Sequence, residues 1–151
     1  MPTMNLEIVT AERQVFASDD VITLIAEGTE GQMAILPRHA PLVTMLEPAE
    51  LIIRRASGDE ISMVITGGFI EVKSEKTVIL ADACERSDEI DLQRAEAAKR
   101  RAEERLKASG PEIDRARAEA ALRRSIARLR VVEKRRKTPV RRPPSNPTSQ
   151  N

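Results

Sequence analysis

Tryptophan and tyrosine are absent from this 151-residue chain, and only Phe16 and Phe69 supply aromatic rings. Readers of single-stranded nucleic acid stack bases on such rings, so the composition argues against an RRM-like or OB-type binder. One histidine, His39, and one cysteine, Cys84, are too few for a His/Cys metal centre. A lone cysteine also rules out an internal disulfide and fits a reducing compartment. No apolar run approaches the roughly 20 residues of a membrane-spanning helix, and the opening Met-Pro-Thr-Met-Asn lacks the basic-then-apolar layout of a secretory signal. The expectation is a soluble, cytosolic chain with no direct membrane insertion, able to reach a membrane through a partner. There is neither a Gly-x-x-x-x-Gly-Lys-[Ser/Thr] phosphate loop nor a Gly-x-Ser-x-Gly elbow. No catalytic residues and no metal ligands are therefore assigned, and the chain is not expected to be an enzyme by itself.

Charge is abundant. Asp, Glu, Lys and Arg make up 32% of the chain, yet the net charge is only +1, and the charged residues concentrate in the second half. That half, from Asp88 to Lys137, has helical periodicity and one break, at Ser109-Gly110-Pro111. Gly beside Pro stops a helix, so the segment is predicted to be two antiparallel helices joined by a tight turn. Leu92, Ala95, Ala98, Ala102 and Leu106 share one face of the first; Leu122, Ile126, Leu129 and Val132 share one face of the second. Ser87 or Asp88 is the expected cap of helix one, and Pro111 suits the first turn of helix two. Each helix should span roughly 30–40 Å. With so thin an apolar seam, the hairpin needs a surface to lie on.

The first half reads differently. Leu6–Val9, Val15-Phe16, Val21–Ile25, Met33–Leu36, Leu42–Leu46, Leu51–Ile53, Ile61–Ile65, Phe69–Val72 and Val78–Leu80 are short, apolar and mostly rich in β-branched residues. Ser57-Gly58-Asp59 and Ser74-Glu75-Lys76 mark hairpin turns, and Gly67-Gly68 marks a bend or a close backbone approach. Many short strands with no helix among them imply a β-sandwich or barrel. The predicted organisation is a β domain over residues 1–86, a helical hairpin over 87–137 and a disordered, proline-rich tail over 138–151.

Two stretches stand out. In residues 27–42, Pro37 and Pro41 bracket His39; the residues alone suggest a rigid strand-to-strand corner with His39 hydrogen-bonded locally. In Ile90-Asp91-Leu92-Gln93-Arg94-Ala95, an Asp and an Arg three apart are, taken alone, more often a helix-surface ion pair than a ligand site. Together, Glu30-Gly31, Ile35-Leu36-Pro37, His39-Ala40-Pro41-Leu42, Gly67-Gly68-Phe69-Ile70-Glu71-Val72, Leu80-Ala81-Asp82 and Ile90-Asp91 with Arg94-Ala95 resemble the epsilon subunits of bacterial F-type ATP synthases. The resemblance covers nearly the whole chain, Leu6 to about Lys134.

That resemblance implies an all-β, flattened ten-stranded sandwich followed by an antiparallel two-helix hairpin. It implies a place in the central stalk on the cytoplasmic face of the bacterial inner membrane, turning with the gamma subunit and the c-ring of a proton-translocating complex. Gly31, Gln32, Pro37, Arg38 and His39 are the implied subunit contacts, although Gln32, Ala34 and Arg38 stand where the family usually has Glu or another polar residue, Gly and Gly. The hairpin is implied to lie folded on the sandwich or to extend toward the alpha–beta hexamer and block ATP hydrolysis. In some bacterial members Ile/Leu-Asp-x-x-Arg-Ala binds ATP and holds the folded state. Here Glu85, Ile90, Asp91, Arg94, Ala95, Arg101, Arg124 and Arg128 match that site, with ATP as a regulatory ligand and no cofactor required. Two readings compete: a free-standing adaptor whose hairpin is a coiled-coil docking arm, and a nucleic-acid binder using the basic second helix, against which the interspersed Glu103, Glu104, Glu112 and Glu119 weigh.

Overall fold

A computed structural model describes residues 2–108 and 110–137 of the chain. Ser109 and the proline-rich tail 138–151 lie outside the described residues. Nine strands come first: β1 (Met4–Val9), β2 (Gln14–Gly28), β3 (Gly31–Ile35), β4 (Leu42–Leu46), β5 (Ala49–Arg55), β6 (Glu60–Ile65), β7 (Gly68–Val72), β8 (Lys76–Ala81) and β9 (Cys84–Arg86). A 3-10 turn, Ser87–Glu89, leads to α1 (Leu92–Lys107) and α2 (Glu112–Lys137).

Among the described residues nine strands are found where ten were expected, and β2 is the reason. Val15-Phe16 and Val21–Ile25 belong to one 15-residue strand. Its first half pairs with β1 and its second half with β3 and β5, so it serves both layers. One layer runs β2–β1–β8–β7–β4 and the other β3–β2–β5–β6–β9, so nine strands fill ten places. A strand that changes sheets must bend, and both of its pairings slip register near Val21. Asp20 fixes that bend. Its carboxylate takes the Arg55 Nε at 3.0 and 3.1 Å and the Ser18 hydroxyl, and its carbonyl takes the Ala56 N–H at 2.8 Å. Hydrogen bonds from Arg55, and then from Ser18, hold the Asp20 carboxyl below its usual range. The short β9 was also unforeseen: three residues with one apolar member give no periodicity to read, and only pairing with β6 makes them a strand.

Alternation sets the core. Leu6 and Ile8, Leu24, Leu51 and Ile53, Met63 and Ile65, Ile70 and Ile79 point between the layers and are fully buried. Gly67 and Gly68 fulfil both halves of their prediction: each has positive φ, 128° and 135°, and a Cβ on Gly68 would stand 2.1 Å from the Leu80 carbonyl oxygen. Cys84 lies in the same core, 3.6 Å from the Met63 sulfur, and burial pushes its thiol up to about 11. Since the thiolate is the reactive form, the folded chain should resist thiol-alkylating reagents at pH 8 and react fully once unfolded. Mass spectrometry of the two samples checks this; ready labelling of the folded chain would contradict the buried position.

The hairpin lies across the outer face of β5 and β6. Val64 on that face joins Ile90, Ala127, Val131 and Val132 in a second, smaller core, with Leu92 packed against it. Helix α2 therefore buries two arcs. Ala118, Ser125 and Val132 recur every seven residues and belong to one, whereas Ala127 and Val131 meet the sandwich. Of the seam predicted for α2 only Val132 is fully buried; Leu122, Ile126 and Leu129 are half-buried at its margin, because a helix between two neighbours buries small residues on both sides. At roughly 24 Å, α1 is shorter than expected, while α2 reaches roughly 39 Å. The shortening comes from a later cap. Ser87 and Asp88 sit in the 3-10 turn, and Asp91 caps α1 by accepting the Arg94 N–H at 3.1 Å.

A candidate ligand cleft at the joint of sandwich and hairpin

Chain direction explains how the site forms. Strand β9 ends beside β6 with Glu85 opposite Val64, under α2. The 3-10 turn then reverses the chain; Glu89 closes it by accepting the Arg86 N–H at 3.2 Å and pairs with Arg13 at 3.5 Å. Ile90, 5% exposed, drops into the second core, so Asp91 emerges at the start of α1 with its backbone tethered on both sides. From there Arg94, Ala95, Ala98 and Arg101 follow at helical spacing, and Arg128 arrives from α2.

Between them is a cleft of about 490 Å3, lined by Glu85, Glu89, Ile90, Asp91, Arg94, Ala95, Ala97, Ala98, Arg101 and Arg128. The volume lies within the range of roughly 300–1,000 Å3 usual for small-ligand sites. Seven of the eight residues matched to the ATP site meet here. Arg124, one turn before Arg128 on α2, is not in the lining. Glu89 also lines the cleft, and the sequence does not mark it, because a carboxylate just ahead of a helix is what the helix dipole favours in any case.

Inside the cleft the charges are unevenly committed. Glu85 takes Arg128 in a forked pair, Nε at 3.1 and 3.2 Å and Nη2 at 2.9 Å, and this pair crosses from sandwich to hairpin. Among the described residues neither Arg94 nor Arg101 makes an ion pair. Two guanidiniums, with planar forks suited to phosphate oxygens, give the cleft donors for an anion, and the carboxylate at the helix start gives it an acceptor for an amino group. Alanines at 95, 97 and 98 keep that wall of the cleft low. Among the described residues no cluster of His, Cys, Asp or Glu is fit to hold a metal ion, and no helix is long and apolar enough to cross a membrane.

The five matched contact residues do not form one cluster. Gly31 and Gln32 open β3 beside the β2–β3 turn, while Pro37, Arg38 and His39 lie beyond its far end, a strand of five residues or roughly 15 Å away. His39 behaves as the residues suggested, with Nδ1 2.7 Å from the Ala40 carbonyl oxygen. Arg38 has φ 66°, a left-handed conformation that favours glycine, which accounts physically for the glycine usual at this position.

A second surface lies away from the cleft. On the outer face of the layer that the hairpin leaves open, Val9, Leu80, Phe69 and Met45 stand opposite one another across β1, β8, β7 and β4. Leu80, Phe69 and Met45 are 57%, 49% and 54% exposed, with Val43 beside them at 68%. A contiguous apolar row on an outer face marks a contact surface. Its signal was present in the sequence, since β4, β7 and β8 carry apolar residues at both parities, but the alignment of the row depends on strand register.

A sandwich that shares one strand between its layers, with a two-helix hairpin lying across one outer face and the other face open, defines a class of small two-part chain. A solved chain of the same fold occurs in the Euglena gracilis mitochondrial ATP synthase (OSCP/F1/c-ring), with a TM-score of 0.78 over 88% of this chain and 82% of that one at 23% identity. The family model for the ATP synthase delta/epsilon chain β-sandwich domain matches residues 3–87, and that for the long α-helix domain of the same chains matches residues 88–133. An ATP synthase epsilon chain of Dehalococcoides mccartyi is 49% identical over 140 residues, covering 92% of this chain and 99% of its own. One from Pelotomaculum thermopropionicum is 54% identical over 104 residues, covering 69% and 76%. The chain belongs to the ATP synthase delta/epsilon chain family. Membership favours the assembly reading over the free-standing adaptor and the nucleic-acid binder.

Proposed function

We propose that the chain is an epsilon subunit working in the central stalk of a bacterial, proton-translocating ATP synthase, peripheral on the cytoplasmic face of the inner membrane. It has no catalytic role of its own. Its sandwich couples the gamma subunit to the c-ring, and its hairpin restrains ATP hydrolysis when it leaves the sandwich and reaches the alpha–beta hexamer. ATP in the cleft favours the folded position, because only there do Glu85 of the sandwich and Arg94, Arg101 and Arg128 of the hairpin line one site.

One observation carries this reading: the two outer faces of the sandwich differ. The hairpin covers one through a thin contact of Val64 with Ala127 and Val131, which can part at low cost. The other presents the uncovered row of Met45, Phe69 and Leu80, the surface a permanent neighbour would cover and which we assign to gamma. Gly31 and Gln32, with Pro37, Arg38 and His39, remain the c-ring contacts.

Reconstitution with the other F1 subunits tests both halves. The whole chain should bind and lower ATPase activity several-fold. A chain ending at Ser87 should bind equally well without lowering it. A Phe69→Glu, Leu80→Glu chain, whose outward positions leave the core intact, should fail to bind. Full inhibition by the truncated chain would refute the role of the hairpin, and normal binding by the doubly substituted chain would refute the docking face.

A further inference from the structure

The contact between hairpin and sandwich is apolar only along a narrow line, and that line is flanked by charge on both sides. At 3.6 residues per turn, Arg123 and Lys134 fall within roughly 20° of each other around α2. Ala127 and Val131 follow at roughly 40° and 80°, then Arg135 and Arg128 at roughly 120° and 140°. Three cations of this arc have a partner on the sandwich and Arg135 has one on the connecting 3-10 turn, while Arg124 and Arg117, at roughly 100° and 120° in the same arc, make no ion pair among the described residues. On one flank Arg123 pairs with Glu47 at 3.5 Å and Lys134 with Glu50 at 3.1 Å. On the other Arg128 pairs with Glu85 at 2.9 Å, and Arg135 donates to the Ser87 carbonyl. Glu50 is itself fixed by the Ser62 hydroxyl at 2.7 Å, so the sandwich side of that pair is already positioned.

We propose that these flanking pairs form an ion-pair latch that holds the hairpin on the sandwich in one register and makes its release depend on ionic strength. A smooth contact of Ala127 and Val131 on Val64 would let α2 slide by a turn. Cations at positions 123, 128 and 134 meet Glu47, Glu85 and Glu50 together in only one register. All three pairs are partly solvent-exposed, with side chains between 23% and 59% accessible. Each therefore contributes modestly and is open to screening, which extends over about 10 Å at 0.1 M salt but only about 3 Å at 1 M. Two of the pairs, through Glu47 and Glu50, lie outside the cleft lining and act independently of a bound nucleotide, whereas Glu85 with Arg128 lies within it.

The test uses the full chain alone, with no nucleotide and no other subunit, so it can fail without touching the inhibitory role, and the reverse also holds. Spin labels at Glu75→Cys, in the β7–β8 turn, and Lys107→Cys, at the end of α1, report the hairpin position; the buried Cys84 stays unlabelled. Raising salt from 50 mM to 1 M should move population from the single docked distance to a broad distribution. Glu47→Gln with Glu50→Gln should shift the docked-to-released ratio by about twofold to fivefold per pair at low salt and flatten the salt response. The exchange Glu47→Arg with Arg123→Glu should restore docking that either change alone weakens. Circular dichroism of the sheet confirms that the sandwich persists in each variant. Distances insensitive to salt in the unsubstituted chain would overturn the latch, as would docking by the double Gln variant as complete as that of the parent.

Discussion

Replacing Gly68 by alanine is expected to destabilise the sandwich by about 3–5 kcal/mol, while the same change at Gly67 costs about 1–2 kcal/mol. The two glycines are adjacent and have similar positive φ values, 128° and 135°, so backbone strain alone would make them equivalent. Their surroundings separate them. A Cβ on Gly67 would approach the Asp82 carboxylate at 2.9 Å, the end of a side chain that can rotate away. A Cβ on Gly68 would meet the Leu80 carbonyl oxygen at 2.1 Å and the Ala81 Cα at 2.9 Å, both backbone of the neighbouring β8. Relief requires β7 and β8 to separate where Gly68 pairs with Ala81 and Phe69 with Leu80, which also disrupts the row assigned to gamma. Urea denaturation followed by circular dichroism measures both variants. Equal midpoints for the two would show that the close approach to β8 is not what the glycine serves.

The second large effect concerns the cleft. ATP should bind the isolated chain, and Arg94→Ala should weaken it by about 10- to 100-fold, the usual worth of a charge-assisted hydrogen bond to phosphate. Asp91 needs two substitutions, because its carboxylate already caps α1 by accepting the Arg94 N–H. Asp91→Ala removes the cap, worth about 1 kcal/mol, together with any contact to the ligand. Asp91→Asn keeps a side-chain oxygen that caps equally well and changes what the ligand meets. Binding retained by Asn and lost by Ala would make the role of Asp91 purely structural; loss in both points to direct recognition. Calorimetry with the three variants decides, and flat heats for the parent chain at millimolar ATP would remove the ATP reading.

The resemblance and the residues shared the work of anticipating this molecule in unequal parts. Gly67-Gly68 announced a tight approach, Ser57-Gly58-Asp59 a turn and Gly110-Pro111 a break between helices, because each depends on the conformational limits of a few adjacent residues. The motif at Ile90-Asp91 with Arg94-Ala95 was visible as a pattern, but its chemistry was ambiguous. Asp91 proves to be a helix cap and Ile90 a core residue as well as lining the cleft, and a structural use of that kind leaves the same trace in sequence as a ligand-binding one. Glu119 stands four residues from both Arg115 and Arg123; it meets Arg115 at 3.8 Å, while Arg123 is drawn to Glu47 on the sandwich. Helical spacing offers both choices, and a neighbouring domain selects between them.

Sequence by itself determined where most of the strands and both helices lie, the places where the chain turns, the thin apolar seam and the composition of the joint. These rest on local steric preference and periodicity, which act over a few residues. Tertiary structure alone decided that β2 serves both layers and that Val9, Leu80, Phe69 and Met45 line up in one row. It also decided that Glu85 meets Arg128 across 43 positions of chain, that Asp91 rather than Ser87 or Asp88 caps α1, and which face of α2 lies on the sandwich. Each of these is a question of register between segments far apart in the chain. Register is settled by the fit of two whole surfaces, and neither segment carries that fit alone.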